Sequence, residues 1–402
     1  MERPAKRKCT AAGTGKVPCK YGKKCYRKNL EHLKQFKHYD DDEADEEVLS
    51  KDVVNNAEAA DACESVQTGE TIHPACVGSG SQEHKKLPTS HGEIIKCIEG
   101  LFLVKMPPDF YDFWQFCEQL NEDIPADALY DTLGLQLVGP FDALSGKLTG
   151  RNIKCMDDAL CHWRYYYDPP EMQTVLRGDD EKLYHLGYFR DSPKEMPVFV
   201  ASNFAQDSCK ICKVGGNLFA AISKEISTAL KKAKDSVMKA KLKKLNGTLI
   251  EFAEAKKYAL DEATKKRPKP MAATFHGAGM VVPYNSATEV GYRPLPVSDA
   301  ELRALLRKIS SSSTDELHKK NMVELQDIIM NVHLANDECD YGMGLELGLD
   351  LFCFGCPKLH SVLLHIITLA YRLLDREEFA QIITAHLSRR KKGADLSVID
   401  TP

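Results

Sequence analysis

Residues 171–200 read EMQTVLRGDDEKLYHLGYFRDSPKEMPVFV, and this stretch decides the class of the fold. Within it, β-branched and aromatic runs at 174–176, 183–189 and 197–200 alternate with turns rich in Gly, Asp and Pro. Short apolar runs that are separated by turn residues are typical of antiparallel strands. Similar runs at 135–138 and 163–167 precede the stretch. The sequence therefore predicts an antiparallel sheet between about residues 133 and 200.

Helical patterns lie on both sides of this predicted sheet. Before it, Phe110, Phe113, Trp114 and Cys117 recur every three or four residues, which is the period of one helix face. After it, helical patterns cover residues 219–266 and about 299–387, and residues 359–374 are apolar enough for a largely buried helix. The fold class we predict is α+β: an antiparallel-sheet-containing body with a helical C-terminal half, plus a small N-terminal zinc finger and a disordered linker.

Changes in composition divide the chain. Residues 40–47 are acidic apart from Ala44, and no Phe, Trp or Tyr occurs between Tyr39 and Phe102. A stretch without aromatic residues buries little apolar surface, so it does not offset the entropy of ordering. The predicted parts are a finger at 1–39, a disordered linker at 40–93, an α+β part at 94–215, a mainly helical part at 216–390 and a tail at 391–402.

Composition also argues against several classes of protein. The 402 residues carry a net charge of −4, so the chain as a whole has no electrostatic attraction to nucleic acid or membranes. We find no run of about 18 apolar residues, as a transmembrane helix requires, and no segment like a secretory signal peptide. We therefore expect the 14 cysteines to stay reduced or to bind metal.

Four candidate metal ligands occur near the N-terminus, in the pattern C-x5-C-x6-H-x5-H: Cys19, Cys25, His32 and His38. Two thiolates and two imidazoles form a closed tetrahedral set for Zn²⁺. The binding energy of such a site folds a segment that has almost no core of its own. The alternative is an unstructured basic tail in which Cys and His are scattered by chance.

The residues around these ligands resemble the poly(ADP-ribose)-binding zinc finger. The matching string is Lys16-x-x-Cys19-x-Tyr21-Gly22-x-x-Cys25-Tyr26-Arg27-Lys28-Asn29-x-x-His32. Tyr39 departs from the family, which usually has Pro there. Poly(ADP-ribose) offers adenine faces to Tyr21 and Tyr26 for stacking, and pyrophosphates to Arg27. Packing of the two tyrosines over the zinc site is the alternative.

From about residue 95 to residue 390 the chain resembles the histone PARylation factors, which are accessory proteins of the DNA-damage-activated poly(ADP-ribose) polymerases. The strings that carry the resemblance are MPPDFYDFWQFC (106–117), LGLQLVGP (133–140), HWRYYYDPP (162–170), YHLGYFRDSP (184–193), TFHGAGMVVP (274–283), VGYR (290–293) and ANDECDYGMGLELG (335–348). The resemblance implies a joint active site in which the polymerase, and not this chain, binds NAD. The factor donates a carboxylate that deprotonates a substrate serine on histones or on the polymerase.

The resemblance also implies roles for individual residues. It places the catalytic base at Glu338 and gives Asp337 a role in positioning the loop and in contacting the polymerase. Tyr292 and Arg293 match the pair that contacts the polymerase, with an internal salt bridge of Arg293 as the alternative. Pro294 departs from the family at a position where we expect an acid.

The residues around Glu338 are consistent with such a role. An apolar helical stripe from Met322 to Ala335 ends directly before Asp337-Glu338-Cys339-Asp340, where the helix dipole is negative. No Lys or Arg lies between 337 and 350, a range that includes Glu346 and Asp350. We therefore expect raised carboxylate pKa values in this region. A solvated acidic loop is the alternative.

Three further patterns leave alternatives open. Residues 224–269 contain 14 Lys or Arg against 6 acids, which suits either a contact with DNA or nucleosome phosphates or a solvated lysine-rich face. Basic clusters at 4–8 and 389–392 are weak signals for nuclear import. Cys209-x-x-Cys212 and Cys353-x-x-Cys356 suit free thiols better than a second zinc site, because about 140 residues separate them.

The function we expect is that of a nuclear accessory factor, at chromatin damage sites, which steers ADP-ribosylation to serine and has no activity alone. Its expected partners are a poly(ADP-ribose) polymerase, histones and poly(ADP-ribose), with no membrane. One alternative is a chromatin-associated poly(ADP-ribose) reader without a catalytic role. Another is a stand-alone glycohydrolase, which would show turnover without the polymerase.

Overall fold

The computed structural model describes residues 17–18, 36–37, 91–149, 153–261 and 267–399. The chain divides into two compact units, Met1–Val77 and Gly78–Pro402. In the first unit, β1 (Val17–Pro18) pairs in parallel with β2 (Phe36–Lys37). The predicted finger residues lie outside the described residues: Cys19, Tyr21, Cys25, Tyr26, Arg27, His32 and His38. Residues 38–90, and with them nearly all of the predicted linker, lie outside them as well.

The second unit contains the α+β body, as predicted. Its helices are α1 (His91–Phe102), α2 (Pro108–Leu120), α3 (Tyr130–Leu133), α4 (Pro140–Leu144), α5 (Met156–Cys161), α6 (Leu218–Lys232), α7 (Ser236–Lys256), α8 (Asp299–Ser310), α9 (Asp315–Asp337), α10 (Tyr341–Phe354), α11 (His360–Leu373) and α12 (Glu377–Arg389). Its strands are β3 (Gln136–Leu137), β4 (Met172–Arg177), β5 (Tyr184–Phe189), β6 (Phe199–Phe204) and β7 (Ile211–Gly215). Short 3₁₀ turns occur at Pro125–Asp127 and Pro357–Leu359.

The five strands β3 to β7 form one sheet in sequence order, with each strand antiparallel to its neighbours. The predicted runs at 135–138, 174–176, 183–189 and 197–200 contain strand residues. Strand β7 was not predicted from the sequence. Its residues do not alternate between buried and exposed, because neighbouring Cys212 and Lys213 are both exposed. The sheet is therefore a meander, with short connections between β4 and β7 and with α4 and α5 between β3 and β4.

The predicted strand at 163–167 is wrong, since these residues form turns. Trp163 has a φ of 53°, and its N–H donates to the carbonyl of Leu396 at 3.0 Å. Its side chain packs in a small cluster with Val138, Leu183 and Leu396. The aromatic run thus packs on the C-terminal segment instead of pairing with a strand. Its composition alone does not distinguish a packed turn from a buried strand.

A buried carboxylate joins the sheet to the helices on its N-terminal side. Asp109 in α2 accepts hydrogen bonds from the Tyr188 hydroxyl at 2.7 Å and from the Leu218 N–H at 2.9 Å. Strand β5 and the first turn of α6 are therefore held on α2. One continuous core includes residues from both predicted parts, 94–215 and 216–390.

The helices mostly follow the sequence pattern. Helix α1 begins at His91, three residues before the predicted start of the body, and α11 is the apolar helix expected near 359–374. The helix predicted at 219–266 is two helices, because the chain turns at 233–235 between α6 and α7. Within the described ranges, no helix has the combination of length and apolar character needed to cross a bilayer.

One residue of the basic cluster at 389–392, Arg390, packs into the fold. The Arg390 guanidinium lies 3.8 Å from the ring centre of Tyr166 and 4.0 Å from that of Phe352. It also donates to the carbonyls of Tyr166 at 2.7 Å and of Phe352 at 2.9 Å. Arg389, in contrast, is exposed and pairs with Asp158. The cluster is thus not a free basic signal in this conformation.

We predict that Arg390→Lys lowers the free energy of unfolding by roughly 2–4 kcal/mol, since Lys loses the planar stack and the two charge-assisted hydrogen bonds. The matched variant Arg389→Lys changes an exposed ion pair and costs less than about 1 kcal/mol. Urea unfolding followed by circular dichroism measures both. Equal effects would show that the stack on Tyr166 and Phe352 does not stabilise the fold.

Candidate functional site

Helix α9 ends at the acidic segment that the sequence singled out. Glu338 follows the last helical residue, Asp337, and both are exposed. Cys339 has a φ of 68°, a left-handed conformation that stops a helix. The N–H of Asp340 then bonds to the carbonyl of Ala335 at 2.8 Å, and α10 begins at the next residue. The predicted position of the two carboxylates, at the C-terminus of a helix, is confirmed.

Asp340 ties this junction to a loop far away in the sequence. Asp340 is 4% exposed, and its Oδ1 accepts a hydrogen bond from the Gly291 N–H at 2.9 Å. Oδ2 accepts from Arg293 Nη2 at 2.8 Å and Nε at 3.1 Å. Gly342 returns a bond, because its N–H donates to the Gly291 carbonyl at 3.0 Å. These bonds fix the backbone at Gly291 and the guanidinium of Arg293 together.

Gly291 must be glycine for this connection to exist. Its φ of 122° lies in a region that L side chains rarely adopt. A Cβ there would also lie 2.1 Å from the carbonyl oxygen of Pro283. Any side chain would push the loop away from Asp340, so this position determines where Arg293 sits.

Arg293 bridges Asp340 to Glu338. Its Nη2 donates to Oε2 of Glu338 as well as to Asp340. The Glu338 side chain is 52% exposed and that of Arg293 is 42% exposed. In the part of the chain that the structure describes, Glu338 has no second hydrogen-bond partner for its side chain. The second carboxylate oxygen is therefore available to a ligand, while the first is held by the guanidinium.

The contact of this cation with Glu338 was not predicted, because Arg293 lies 45 residues before Glu338, outside the range 337–350 that contains no Lys or Arg. The internal salt bridge, which the sequence left open as an alternative for Arg293, is what the structure contains. Contact of Arg293 and Tyr292 with a partner stays a prediction.

A second pair of carboxylates is buried behind the junction, on α10. Burial raises the pKa of Glu346 to about 7, although a hydrogen bond from the Tyr292 hydroxyl at 3.1 Å partly opposes the rise. Burial raises the pKa of Asp350 to about 8, against a bond from the Phe275 N–H at 2.7 Å. The pKa values of these two residues are raised, as expected for this region, but the main cause is burial and not the helix dipole or neighbouring acids.

Tyr292 packs inward as part of this cluster. Burial and the neighbouring Glu346 carboxylate raise the pKa of its hydroxyl. A Cβ at position 342 would lie 2.9 Å from the Tyr292 ring, so Gly342 leaves the space that the ring fills. Tyr292 as a whole is half-buried, with its hydroxyl bonded to Glu346.

The buried carboxylates predict a pH dependence of stability. Their pKa values are higher in the folded chain than in the unfolded one, so the folded state retains protons that the unfolded state has lost. Stability should fall as pH rises from about 4 to about 8, by up to about 1.4 kcal/mol per pH unit for each retained proton. Asp350→Asn should flatten this slope and stabilise the chain at pH about 8, because it removes a charge that burial disfavours.

Urea titrations at several pH values measure this slope. The control is Asp375→Asn, because the Asp375 side chain is 90% exposed. Asp350→Asn and Asp375→Asn giving the same pH profile as the unchanged chain would contradict the assignment.

The two C-x-x-C motifs meet without forming a metal site. Cys209 and Cys353 are hydrogen-bonded to each other through their thiols, and Cys212 is exposed. Among the described residues, no group of three or more His, Cys, Asp or Glu side chains is arranged to hold a metal ion. All four cysteines of the two motifs are free thiols.

Comparison with known families identifies the body. Residues 93–390 match the family model described as histone PARylation factor 1. The chain belongs to the histone PARylation factor 1 family. Tyr292, Arg293, Asp337, Glu338 and Asp340 all lie within the matched range of this family model.

Relatives in the histone PARylation factor 1 family match most of the chain. Histone PARylation factor 1 of Mus musculus is 44% identical over 304 residues, which cover 75% of this chain and 88% of the mouse protein. That of Danio rerio is 41% identical over 340 residues, which cover 78% of this chain and 97% of the fish protein. A putative histone PARylation factor 1-like protein of Homo sapiens is 40% identical over 304 residues, covering 75% and 87% of the two chains.

A second family model, described as the PBZ domain, matches residues 16–41. The matched range contains the predicted zinc ligands Cys19, Cys25, His32 and His38. Tyr21, Tyr26 and Arg27 lie in it too. This chain thus joins a PBZ-type segment to a histone PARylation factor 1 body.

The role of Asp340 as an anchor for Arg293 was not found from the sequence. One signal was present: VGYR and ANDECDYGMGLELG are both among the strings that resemble the family. Two strings that resemble the same family suit a contact between them, but neither string states which atoms meet. The structure supplies those atoms.

Proposed function

We propose that this chain binds a poly(ADP-ribose) polymerase, completes a joint active site with it and supplies Glu338 as the general base for serine ADP-ribosylation. The substrates are histones and the polymerase itself, in the response to DNA damage. The observation that carries the proposal is the arrangement of Arg293, Asp340 and Glu338, which holds a half-exposed carboxylate in one place on the surface. Relatives named histone PARylation factor 1 support the histone substrate.

The chemistry requires such a carboxylate. A serine hydroxyl is a poor nucleophile until its proton has an acceptor within about 2.6–3.2 Å. Acidic acceptors on a substrate are already ionised at neutral pH and need no base. The polymerase holds NAD in this proposal, and the exposed oxygen of Glu338 takes the serine proton. A carboxylate from this chain thereby selects serine.

Arg293 is a positioning residue in this proposal. Its fork on buried Asp340 orients the guanidinium, and Nη2 then holds one oxygen of Glu338. Without that bond the side chain of Glu338 has several rotamers to choose from, which lowers the fraction of time it spends near a substrate. The exposed edges of Arg293 and Tyr292, together with Asp337, form the proposed contact with the polymerase.

The N-terminal segment adds recruitment to this activity. The PBZ match supports a zinc site at Cys19, Cys25, His32 and His38, since their two thiolates and two imidazoles suit tetrahedral Zn²⁺. Zinc would supply the folding energy of the segment. Poly(ADP-ribose) binds through Tyr21, Tyr26 and Arg27, the three residues assigned to stacking and phosphate contact. We place the protein in the nucleus, at chromatin where the polymer accumulates.

The PBZ match also favours a second candidate function. A chain that binds poly(ADP-ribose) through this segment would act as a reader of the polymer, and its body would then need no catalytic role. In that case the pair of Arg293 and Glu338 is a surface ion pair and no more. The two candidates differ in whether basicity at Glu338 matters.

We predict that Glu338→Gln leaves polymerase binding nearly intact and lowers serine ADP-ribosylation by roughly 10²–10⁴-fold, since Gln keeps the shape but cannot accept the proton. Modification of acidic residues by the polymerase should then return. Asp337→Asn should instead weaken the complex. Purified chain, polymerase, NAD and a histone peptide are mixed, and the modified residue types are counted by mass spectrometry.

Glu324→Gln is the matched control, because Glu324 is an exposed glutamate of α9 that also forms an ion pair, at 3.8 Å from Lys308. It should support serine modification at the unmutated rate. If Glu338→Gln binds the polymerase and matches this control, the chain is a reader and Glu338 is not the base. Turnover without the polymerase would instead indicate a stand-alone enzyme.

We predict that Cys25→Ala releases zinc and abolishes poly(ADP-ribose) binding, because three ligands do not close the tetrahedral site. Serine modification in solution, which depends on the body, should survive. Metal content by mass spectrometry and polymer binding by filter assay test this. The control is Cys212→Ala, which removes an exposed thiol of the body. Full polymer binding by Cys25→Ala would show that the segment is not the reader.

A further inference from the structure

The turn between α6 and α7 concentrates positive charge that the proposed function does not use. Residues 231–244 read KKAKDSVMKAKLKK, with seven lysines and one acid. This is a net charge of +6 over 14 residues, in a chain whose total is −4. The lysines are Lys231, Lys232, Lys234, Lys239, Lys241, Lys243 and Lys244, and we call this segment the lysine turn.

All seven lysines of the lysine turn are exposed. Elsewhere on the body, Lys182, Lys194 and Lys256 form ion pairs with acids at 3.1, 2.7 and 2.7 Å. Within the described ranges, none of the seven forms an ion pair or a hydrogen bond through its ammonium group. Their charge is therefore not neutralised within the body.

The acid of the lysine turn is occupied by the backbone. The Asp235 side chain caps α7, because it accepts a hydrogen bond from the Met238 N–H at 2.9 Å. Hydrogen bonds from the backbone amides of this turn, and the nearby Lys241, hold the pKa of Asp235 below its usual value. One negative charge, fixed at the helix start, leaves the surrounding cations in large excess.

Packing holds these cations on a fixed surface. Leu242, Leu245, Leu249 and Ala253 are buried along one side of α7. Lys239, Lys241, Lys243 and Lys244 therefore occupy the remaining sides of its first turns. At a rise of about 1.5 Å per residue, the α7 part of the lysine turn is about 12 Å long. A short, rigid and convex cationic surface of this kind suits a regular array of phosphates.

We propose that the lysine turn binds the phosphate backbone of duplex DNA. Lysine ammonium groups act as point charges on phosphate and carry no base readout. Residues 231–244 contain no aromatic side chain and no Arg, so they offer no stacking platform for unpaired bases or adenine rings. The surface therefore fits paired DNA better than single strands or poly(ADP-ribose). This contact does not depend on Glu338, and it would hold the factor on nucleosomal DNA.

The test uses the full chain and a short fluorescein-labelled duplex, with binding followed by fluorescence anisotropy from about 50 to 200 mM salt. The unmutated chain should bind with a strong salt dependence, of slope about −3 to −4 if roughly four phosphates are neutralised. The variant K231Q/K239Q/K241Q/K244Q should bind about tenfold or more weakly at the same salt and show a smaller slope. Gln resembles Lys in helix propensity, and circular dichroism confirms the fold.

The control variant K96Q/K319Q/K320Q/K391Q removes the same charge from other exposed positions of the body. It should retain most of the affinity and the salt slope. Equal losses in the two variants would show that net charge, and not the lysine turn, determines binding, and would overturn the proposal. Single-stranded DNA and poly(ADP-ribose) are measured alongside. A loss confined to either of these polymers, with duplex binding unchanged, would overturn it as well.

Discussion

The buried carboxylate of Asp340 is the interaction on which the candidate site depends. It receives three N–H groups from one loop, two of them from a single guanidinium. A buried charge is costly unless it is paired and hydrogen-bonded, so Asp340 and Arg293 need each other. Arg293 also bonds to Glu338. The need of buried Asp340 for a partner therefore determines where the exposed carboxylate of Glu338 is held.

The same junction explains why its carboxylates are so different. Glu338 is exposed and meets an arginine, whereas Asp350 is fully buried, with one oxygen bonded to a backbone N–H and the other unpaired. Desolvation disfavours charge on Asp350, while a guanidinium lies against Glu338. Glu338 lies just before α10 and Asp350 lies within it, so the start of one helix separates an exposed carboxylate from one whose pKa is raised in the core.

Local sequence patterns predicted most of the helices and strands. The geometry of the candidate site depends on contacts between residues distant in sequence, which local patterns do not show. Helix α9, its apolar stripe and its end at Asp337 follow from spacing along the chain. Strands β4 to β6 follow from apolar runs and turn residues, because neighbours in this sheet are also neighbours in sequence. The aromatic run at 163–167 was wrongly predicted to be a strand, because burial against the C-terminal segment and burial in a sheet favour the same residue types.

The site itself was predicted only in part. The position of Glu338 was clear from the end of the helix, but the guanidinium that holds it comes from 45 residues away and left no periodic signal. The family resemblance singled out Tyr292 and Arg293 without their internal bonds. Counting charged residues along the sequence identified the lysine turn, because its charges are close together in the chain. The same count did not identify the cation at Glu338, because Arg293 is far from Glu338 in the sequence.

The sheet's sequential order has a consequence for how the molecule is assembled. Strands β4 to β7 pair across short connections, whereas the bonds of Gly291 and Arg293 to Asp340 close loops of nearly 50 residues. Closing a short loop costs less entropy than closing a long one, so we expect the contacts of the sheet to form before those of Asp340. Strands β3 to β7 are also synthesised before Asp340, because the chain is made from its N-terminus. We therefore expect Glu338 to meet the guanidinium of Arg293 late in folding, after the sheet has formed.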